Sequence, residues 1–523
     1  MKVHLLFPEQ DFDFDATLPP GHQDLIQDLE LATLFAVMAN GDKFLSQISA
    51  RVMLTSVSNV NAMRYRQQVL ADCLAQPEVI RQMYTVAVAA LADKRHLWGG
   101  YGGSFQNPSS NLSGAVSHLG AYVVRLRELR QIADDHAGKF RSDGLRTLFA
   151  TVHRDLDDEY FEEIDDHLRR LRFRGGVLIS AQLGRDNSGT GFVLRAPEQA
   201  RRGWTERLGI GPRTTYSFAI SPRDEAGGQI LTDLTNRGIN QVANAAAQSA
   251  DHIGSYFTML RAELGFYVGC LNLADRLKAK GVPLTAPEPA ETSSPAFTCA
   301  DLRDACLELQ SNRPVIGNDV KADGKSLVIV TGANSGGKST FLRSVGVAQL
   351  MMQCGLFVTA QSYRASSDAG IFTHFTREED PGMASGRLDD ELRRMSGIAG
   401  QLTPRSLILF NESFAGTNEH EGSEIGYQIV RALLDADVRI FFVTHRFSFA
   451  DRIRRHPVRS SLFLRAERSP DGRRTYKLAV KDPLPTSYGE DLYYQLGGWL
   501  DEDEAPTQDA GGPHAGQRPR YGS

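Results

Sequence analysis

The sequence predicts a chain of two unlike parts: a mainly α-helical region with a small β-rich insert, followed by an α/β domain built round a phosphate-binding loop. Three observations carry this reading. The run Thr331-Gly332-Ala333-Asn334-Ser335-Gly336-Gly337-Lys338-Ser339-Thr340 lies between an apolar stretch of strand length, residues 326–330, and a stretch that reads as helix, residues 341–348. Strand, glycine loop, lysine and hydroxyl, then helix is the context in which G-x-x-x-x-G-K-[ST] binds phosphates. Farther upstream, Ile253, Phe257, Leu260, Leu264, Tyr267, Leu271 and Ala274 recur at four- and three-residue steps, a seam by which one long helix packs on others. Between the helical stretches, residues 176–181 and 190–194 are strand-like runs around a turn-rich Gly184–Gly189.

Taken in order, residues 1–22 form an N-terminal segment and 23–175 a helical region, where Leu25, Leu29, Ala32, Phe35 and Met38 keep helical spacing. A glycine-rich polar break at 99–110 interrupts it. Residues 176–233 read as the β-rich insert, with a further strand at 214–220, and 234–282 as the long helix. The Pro/Ser/Thr/Glu-rich stretch 283–296 reads as a linker, 297–498 as the α/β domain, and the polar 499–523 as a disordered tail.

A chain of 523 residues exceeds one compact core, so several domains are expected. No apolar run approaches the ~20 residues of a membrane helix, and the acidic start (Glu9, Asp11, Asp13, Asp15) lacks a signal-peptide layout. Five scattered cysteines with no C-x-x-C point to a reduced, cytoplasmic setting and away from zinc. The net charge of −5 does not announce a nucleic-acid binder. Two basic clusters, 169–174 and 452–477, could meet phosphates or could be solvated faces.

The α/β domain holds the chemistry. Glycines turn backbone N–H groups of the loop toward an anion, and the following helix N-terminus adds positive potential. Lys338 reaches the terminal phosphates of a nucleoside triphosphate, and the Ser339 hydroxyl sits on Mg²⁺. Hydrolysis needs more: a metal-holding group, a base for water and a sensor of the γ-phosphate. The apolar strand 406–410 ends in Asn411-Glu412, so both polar residues fall at the carboxyl edge of a parallel sheet. Glu412 is the candidate base. Asn411 stands where an Asp ordinarily holds Mg²⁺ through water; its amide brings no charge, so the metal is held more weakly. His445 ends the next strand, within reach of a γ-phosphate or the attacking water. Ser385-Gly386 opens a charged helix between these elements, a second anion-binding arrangement.

In this order the motifs resemble the MutS proteins of DNA mismatch repair. The loop matches through Asn334 and Gly336–Thr340; Gly317-Asn318-Asp319, Ala384–Arg387, Asn411-Glu412 with Gly416-Thr417, residues 442–445, and Thr486–Gly489 match in sequence. The resemblance is specific over about 314–496 and looser before that, where 63–70 is similar to the family's helical core and 184–194 to the start of its clamp insert. It implies an ABC-type P-loop ATPase domain preceded by a mainly helical lever and core region with a small clamp-like insert. It also implies ATP and Mg²⁺ as cofactors, DNA as a structure-selective partner, no membrane, and a homodimer sharing two ATP sites. In that dimer Ser385 and Gly386 of one chain complete the site of the other, and Asn318 and Asp319 lie near the nucleotide base. The sequence departs from the pattern in three ways: it begins near the helical core, with no room for the mismatch-reading and connector domains; it shows no nuclease-like C-terminal domain; and it has Asn411 for Asp. The expectation is therefore an ATP-binding and hydrolysing clamp in DNA repair or recombination without classical mismatch reading. A nucleotide-gated clamp with little hydrolysis, or an ABC-type ATPase with a protein partner, stays open beside it.

Overall fold

The computed structural model describes residues 1–55, 57–99, 107–174, 176–186, 188–195, 219–221, 223–291, 295–377, 386–458, 460–469 and 473–485, without the side chains of 94–99. The expected strand at 214–220 lies mostly outside these residues, as do Ser385, Thr486–Gly489 and the expected disordered tail.

The first half is helical: α1 His22–Asp28, α2 Leu31–Ala39, α3 Lys43–Leu54, α4 Val60–Ala75, α5 Pro77–Gly99, α6 Pro108–His136, α7 Asp143–Asp155 and α8 Asp158–Leu171. The starts are written in the sequence. Asp42, Asn59, Asn107 and Asp157 each accept a backbone N–H of the helix they precede, and Pro108 follows its cap in the first turn. Two antiparallel strands follow, β1 Leu178–Leu183 and β2 Gly189–Arg195. Helix α9, Glu225–Ala279, is 55 residues long. It starts nine residues before the boundary expected at 234, because Asp224 caps it by accepting from Gly227 N. Its seam residues Phe257, Leu260, Leu264, Tyr267, Leu271 and Ala274 are buried against α2, α3, α5 and α6.

The α/β part comprises β3 Glu288–Ala290, β4 Phe297–Leu302, α10 Ala305–Gln310, β5 Asn318–Lys321, β6 Leu327–Thr331, α11 Lys338–Gln353, β7 Ser362–Ser366, β8 Ile371–Phe375, α12 Arg387–Ala399, β9 Leu407–Asn411, α13 Glu419–Asp435, β10 Arg439–Val443, α14 Phe447–Arg455, β11 Ser461–Arg468 and β12 Arg474–Val480. The six-stranded sheet runs β12-β11-β6-β10-β9-β8, parallel except for the antiparallel edge strand β12. A second, four-stranded sheet runs β3-β7-β4-β5. Its strand β3 corrects the linker expected at 283–296: Pro/Glu-rich composition suggests a spacer, yet Glu288–Ala290 pairs with β7 and Thr285 bridges to Val358.

Alternate residues of the central strands enter different cores, as a pleated sheet covered on both faces requires. Val328, Val330, Leu407, Leu409, Phe441 and Val443 face α11, and their core is continuous with that of the N-terminal helices. Leu327, Ile329, Ile408, Phe410, Ile440 and Phe442 form the second core with α12, α13 and α14. Helix α11 is wedged tightly: a Cβ on Gly346 would come 2.7 Å from Leu409 Cδ1 and 2.8 Å from Leu29 Cδ2.

The N-terminal segment also packs inward. The buried Glu263 carboxylate of α9 accepts from Leu5 N at 2.5 Å, Leu6 N at 3.0 Å and Phe12 N at 3.2 Å. Arg66 Nε donates to Leu6 O at 2.9 Å, and the Tyr267 hydroxyl to Leu5 O at 2.8 Å. Among the described residues, no helix is long and apolar enough to cross a membrane.

Candidate functional site

Strand β6 ends at Thr331 and α11 begins at Lys338, so the glycine loop spans the carboxyl edge of the sheet. Two glycines are dictated by geometry. Gly332 has φ +115°, and a Cβ there would meet Ala466 N at 2.9 Å; Gly337 has φ +90° at the N-cap of α11. The side chain of Lys338 is buried, and its Nζ donates to Gly332 O and Ala333 O, both at 3.0 Å. Burial lowers its pKa, and the nearby Glu412 carboxylate pulls the other way.

Beside the loop lies a cavity of about 410 Å³ lined by Ser335–Thr340 together with Leu307, Ser311, Pro314, Val315, Ile316, Asn318 and Tyr476. Anion-seeking loop backbone and several apolar side chains thus share one cavity, the combination a phosphate-bearing heterocycle asks for.

Strand β10 lies between β6 and β9, and this order gathers the polar residues at the strand ends. Ser339 Oγ donates to Asn411 Oδ1 at 2.7 Å, so the two expected metal-facing groups touch. Among the described residues no cluster of three His, Cys, Asp or Glu side chains stands ready for a metal. The donor set here, one hydroxyl and one neutral amide, suits a cation that brings phosphate oxygens and waters with it, as Mg²⁺ does.

Glu412 follows β9 with φ +54°, a left-handed conformation for a residue with a side chain. Its Oε2 lies 2.5 Å from His445 Nδ1 and accepts the His445 backbone N–H at 3.1 Å. Its Oε1 is 3.9 Å from Lys338 Nζ. The hydrogen bond to Glu412 raises the His445 pKa, against the opposing effect of burial. Carboxylate, imidazole and ammonium are thus contiguous, a set able to orient water beside an anion held by the loop.

Asn318 and Asp319 do not share a place. Asn318 lines the cavity, but its amide is occupied by β12, accepting from Leu478 N at 2.8 Å and donating to Tyr476 O at 3.3 Å. Asp319 is exposed and points away, because neighbours in a strand face opposite sides; it accepts from Asp301 N at 2.7 Å. Of the two, only Asn318 lines the cavity. Gly386 caps α12 and does not line the cavity, and Ser385 lies outside the described residues. Sequence reasoning missed Tyr476, which reaches the cavity mouth from β12 with φ +57°. The apolar run Pro314-Val315-Ile316 before Asn318 was the one available signal for that part of the lining.

Comparison with known proteins agrees with this arrangement. A profile described as MutS2 N-terminal domain matches residues 58–280, and one described as MutS domain V matches residues 328–492. The DNA mismatch repair protein MutS of Porphyromonas gingivalis is 37% identical over 143 residues, 26% of this chain and 16% of that protein. MutS protein homolog 4 of Mus musculus is 32% identical over 138 residues, 26% of this chain and 14% of its own length. The DNA mismatch repair protein MutS of Synechococcus elongatus is 25% identical over 445 residues, 76% of this chain and 48% of that protein. The chain thus spans less than half the length of each of these relatives. With one profile on the helical half and the other on the α/β half, the chain belongs to the MutS family.

Proposed function

We propose that the chain is a cytoplasmic ATPase that binds DNA as a dimeric clamp in repair or recombination. The observation that carries this is the contact of Glu412 with both His445 and Lys338 beside the phosphate-loop cavity. In this reading Gly332–Thr340 wraps the phosphates, Lys338 pairs with the β- and γ-phosphates, and Ser339 with Asn411 holds Mg²⁺. Glu412 orients the attacking water and His445 senses the γ-phosphate. Tyr476 and Ile316 cover the base. Ser385 and Gly386 serve the partner's site.

Closure of two nucleotide domains is carried to DNA by α9 acting as a lever. Its N-terminal end carries the β1–β2 hairpin as the start of a clamp arm: a Cβ on Gly238 would come 2.4 Å from Ile179 Cδ1, so the hairpin sits directly on the helix. The deciding experiment is ATP turnover by the purified protein, alone and with duplex, mismatched or branched DNA, together with DNA binding at two salt concentrations. Stimulated turnover and affinity that falls steeply with salt are expected. Binding without salt dependence, or none, removes DNA and favours a protein partner. A nucleotide-gated clamp with little hydrolysis is the second reading, favoured by the neutral Asn411 beside Ser339. It predicts ATP binding that alters DNA affinity with scarcely measurable turnover.

A further inference from the structure

The loop that follows Glu412, residues 413–418, lies beside charged groups from two other elements, Arg446 at the start of α14 and Glu391 of α12. Arg446, the residue after His445, turns its guanidinium inward and is 7% exposed. Its Nη2 donates to Thr417 O at 3.2 Å. Arg446 Nη1 packs against Gly422 of α13, which leaves no room for a Cβ there, and Nη1 has no hydrogen-bond partner of its own. On the other side stands Glu391 of α12, 3% exposed, with Arg387 at 3.8 Å. Burial pushes the Glu391 carboxyl pKa up, while Arg387, the backbone of Gly416 and Phe414, and Arg446 each favour its charged form from nearby, none of them in hydrogen-bond geometry with either oxygen. Gly416 lies flat on the first turn of α12, where a Cβ would be 2.7 Å from Leu388 N.

Buried guanidinium and carboxylate groups are costly to desolvate, and apolar residues of similar volume often stabilise as well or better. Their return here is geometric. Glu412 and Phe414 hold φ of +54° and +63°, values that residues with side chains keep only when their surroundings over-determine them.

We infer that Arg446 and Glu391 are positioning residues for Glu412: together they clamp the 413–418 loop between α12 and α13, and so tie the helix opened by Gly386 to the carboxylate that meets Lys338 and His445. This rests on the ATPase reading above. A displacement of Gly386 and α12 then reaches Glu412 of the same chain through Glu391, Gly416 and Thr417.

The test compares Arg446→Met, Glu391→Gln, the double variant and Arg446→Lys in the full-length protein. It reads steady-state kcat, affinity for a fluorescent ATP analogue, and the thermal midpoint. Each single change is expected to lower kcat on the order of ten- to a hundredfold, as small misplacements of a reacting group do, with analogue affinity changed by no more than about twofold. The double variant should be no worse than the poorer single, and Arg446→Lys should regain part of the loss. Unchanged kcat, multiplicative losses in the double variant, or turnover and analogue affinity falling together would each overturn the inference. If Arg446→Met does not fold, Glu391→Gln and Arg446→Lys carry the same comparison. Wild-type protein that binds the analogue but never hydrolyses ATP removes the ATPase reading and this inference with it. Wild-type turnover with unaffected variants removes only the inference.

Discussion

The Ser339 hydroxyl donates directly to the Asn411 amide oxygen at 2.7 Å. A metal ion held at this pair meets no protein charge from either residue. Asn411→Asp adds one within the same contact. A unit charge a few ångströms from a cation, at an effective dielectric of about 20, contributes more than the ~1.4 kcal/mol that makes a tenfold change. The Mg²⁺ concentration giving half-maximal ATP turnover should therefore fall by roughly tenfold or more. An unchanged Mg²⁺ titration would separate Asn411 from the metal.

Glu412 and Lys338 should fail in different ways. Glu412→Gln keeps a side chain of the same shape and removes the base, so turnover should drop by about 10²–10⁴-fold while ATP still binds. Lys338→Ala removes the ammonium held at the loop and should abolish both. Equal turnover in wild type and Glu412→Gln would take Glu412 out of the chemistry.

Tyr476 gives a prediction that isolates the base from the phosphates. Tyr476 lines the cavity next to the glycine loop, where a Cβ on Gly337 would lie 3.6 Å from Tyr476 Cβ. Aromatic stacking contributes about 0.5–1.5 kcal/mol, so Tyr476→Ala should weaken ATP binding roughly three- to tenfold. Binding of inorganic tripolyphosphate, which has no base, should not change. An equal loss for both ligands would mean that the substitution disturbs the loop itself.

Glu263 makes stability depend on pH. Burial lifts its carboxyl pKa from 4.5 to about 7, against three backbone N–H groups that favour the charged form. The folded state thus holds this proton more tightly than the unfolded chain. The stabilisation is fully present below about pH 4.5 and is lost as pH rises through about 7. The effect is on the order of 3 kcal/mol. The thermal midpoint should fall between about pH 5 and pH 8, and Glu263→Gln should flatten that slope even though it lowers the midpoint overall. Asp368, buried against Arg439 with its pKa lifted to about 6, contributes a residual slope of the same sign. An unaltered slope in Glu263→Gln would place the titration elsewhere.

Much of the candidate site was legible because its residues are local punctuation on strand ends. Lys338, Asn411, Glu412 and His445 each follow an apolar run, and the parallel sheet brings those ends to one edge. The α9 seam was legible for a similar reason, since one face of a helix repeats often enough to be seen. What escaped was non-local. Tyr476 reaches the cavity only because β12 folds back antiparallel beside β11, and no spacing in the sequence announces that. Strand β3 was hidden by prolines, which an edge strand tolerates and a pattern reader takes for a spacer. Asn318 and Asp319 read as one Gly-Asn-Asp unit in the sequence, although strand geometry turns the two polar residues to opposite sides.

The Glu263 anchor also orders events in time. Leu5, Leu6 and Phe12 leave the ribosome well before the carboxylate that receives their N–H groups, which lies about 250 positions later. At translation rates of about 5–20 residues per second, that separation lasts on the order of ten to fifty seconds. Through that interval Leu5, Leu6 and Phe12 lack their carboxylate acceptor, and only earlier partners such as Arg66, whose Nε meets Leu6 O, can hold the segment. The core round Glu263 therefore closes backwards, with residues 5–12 settling against a helix synthesised after all of α1 to α8.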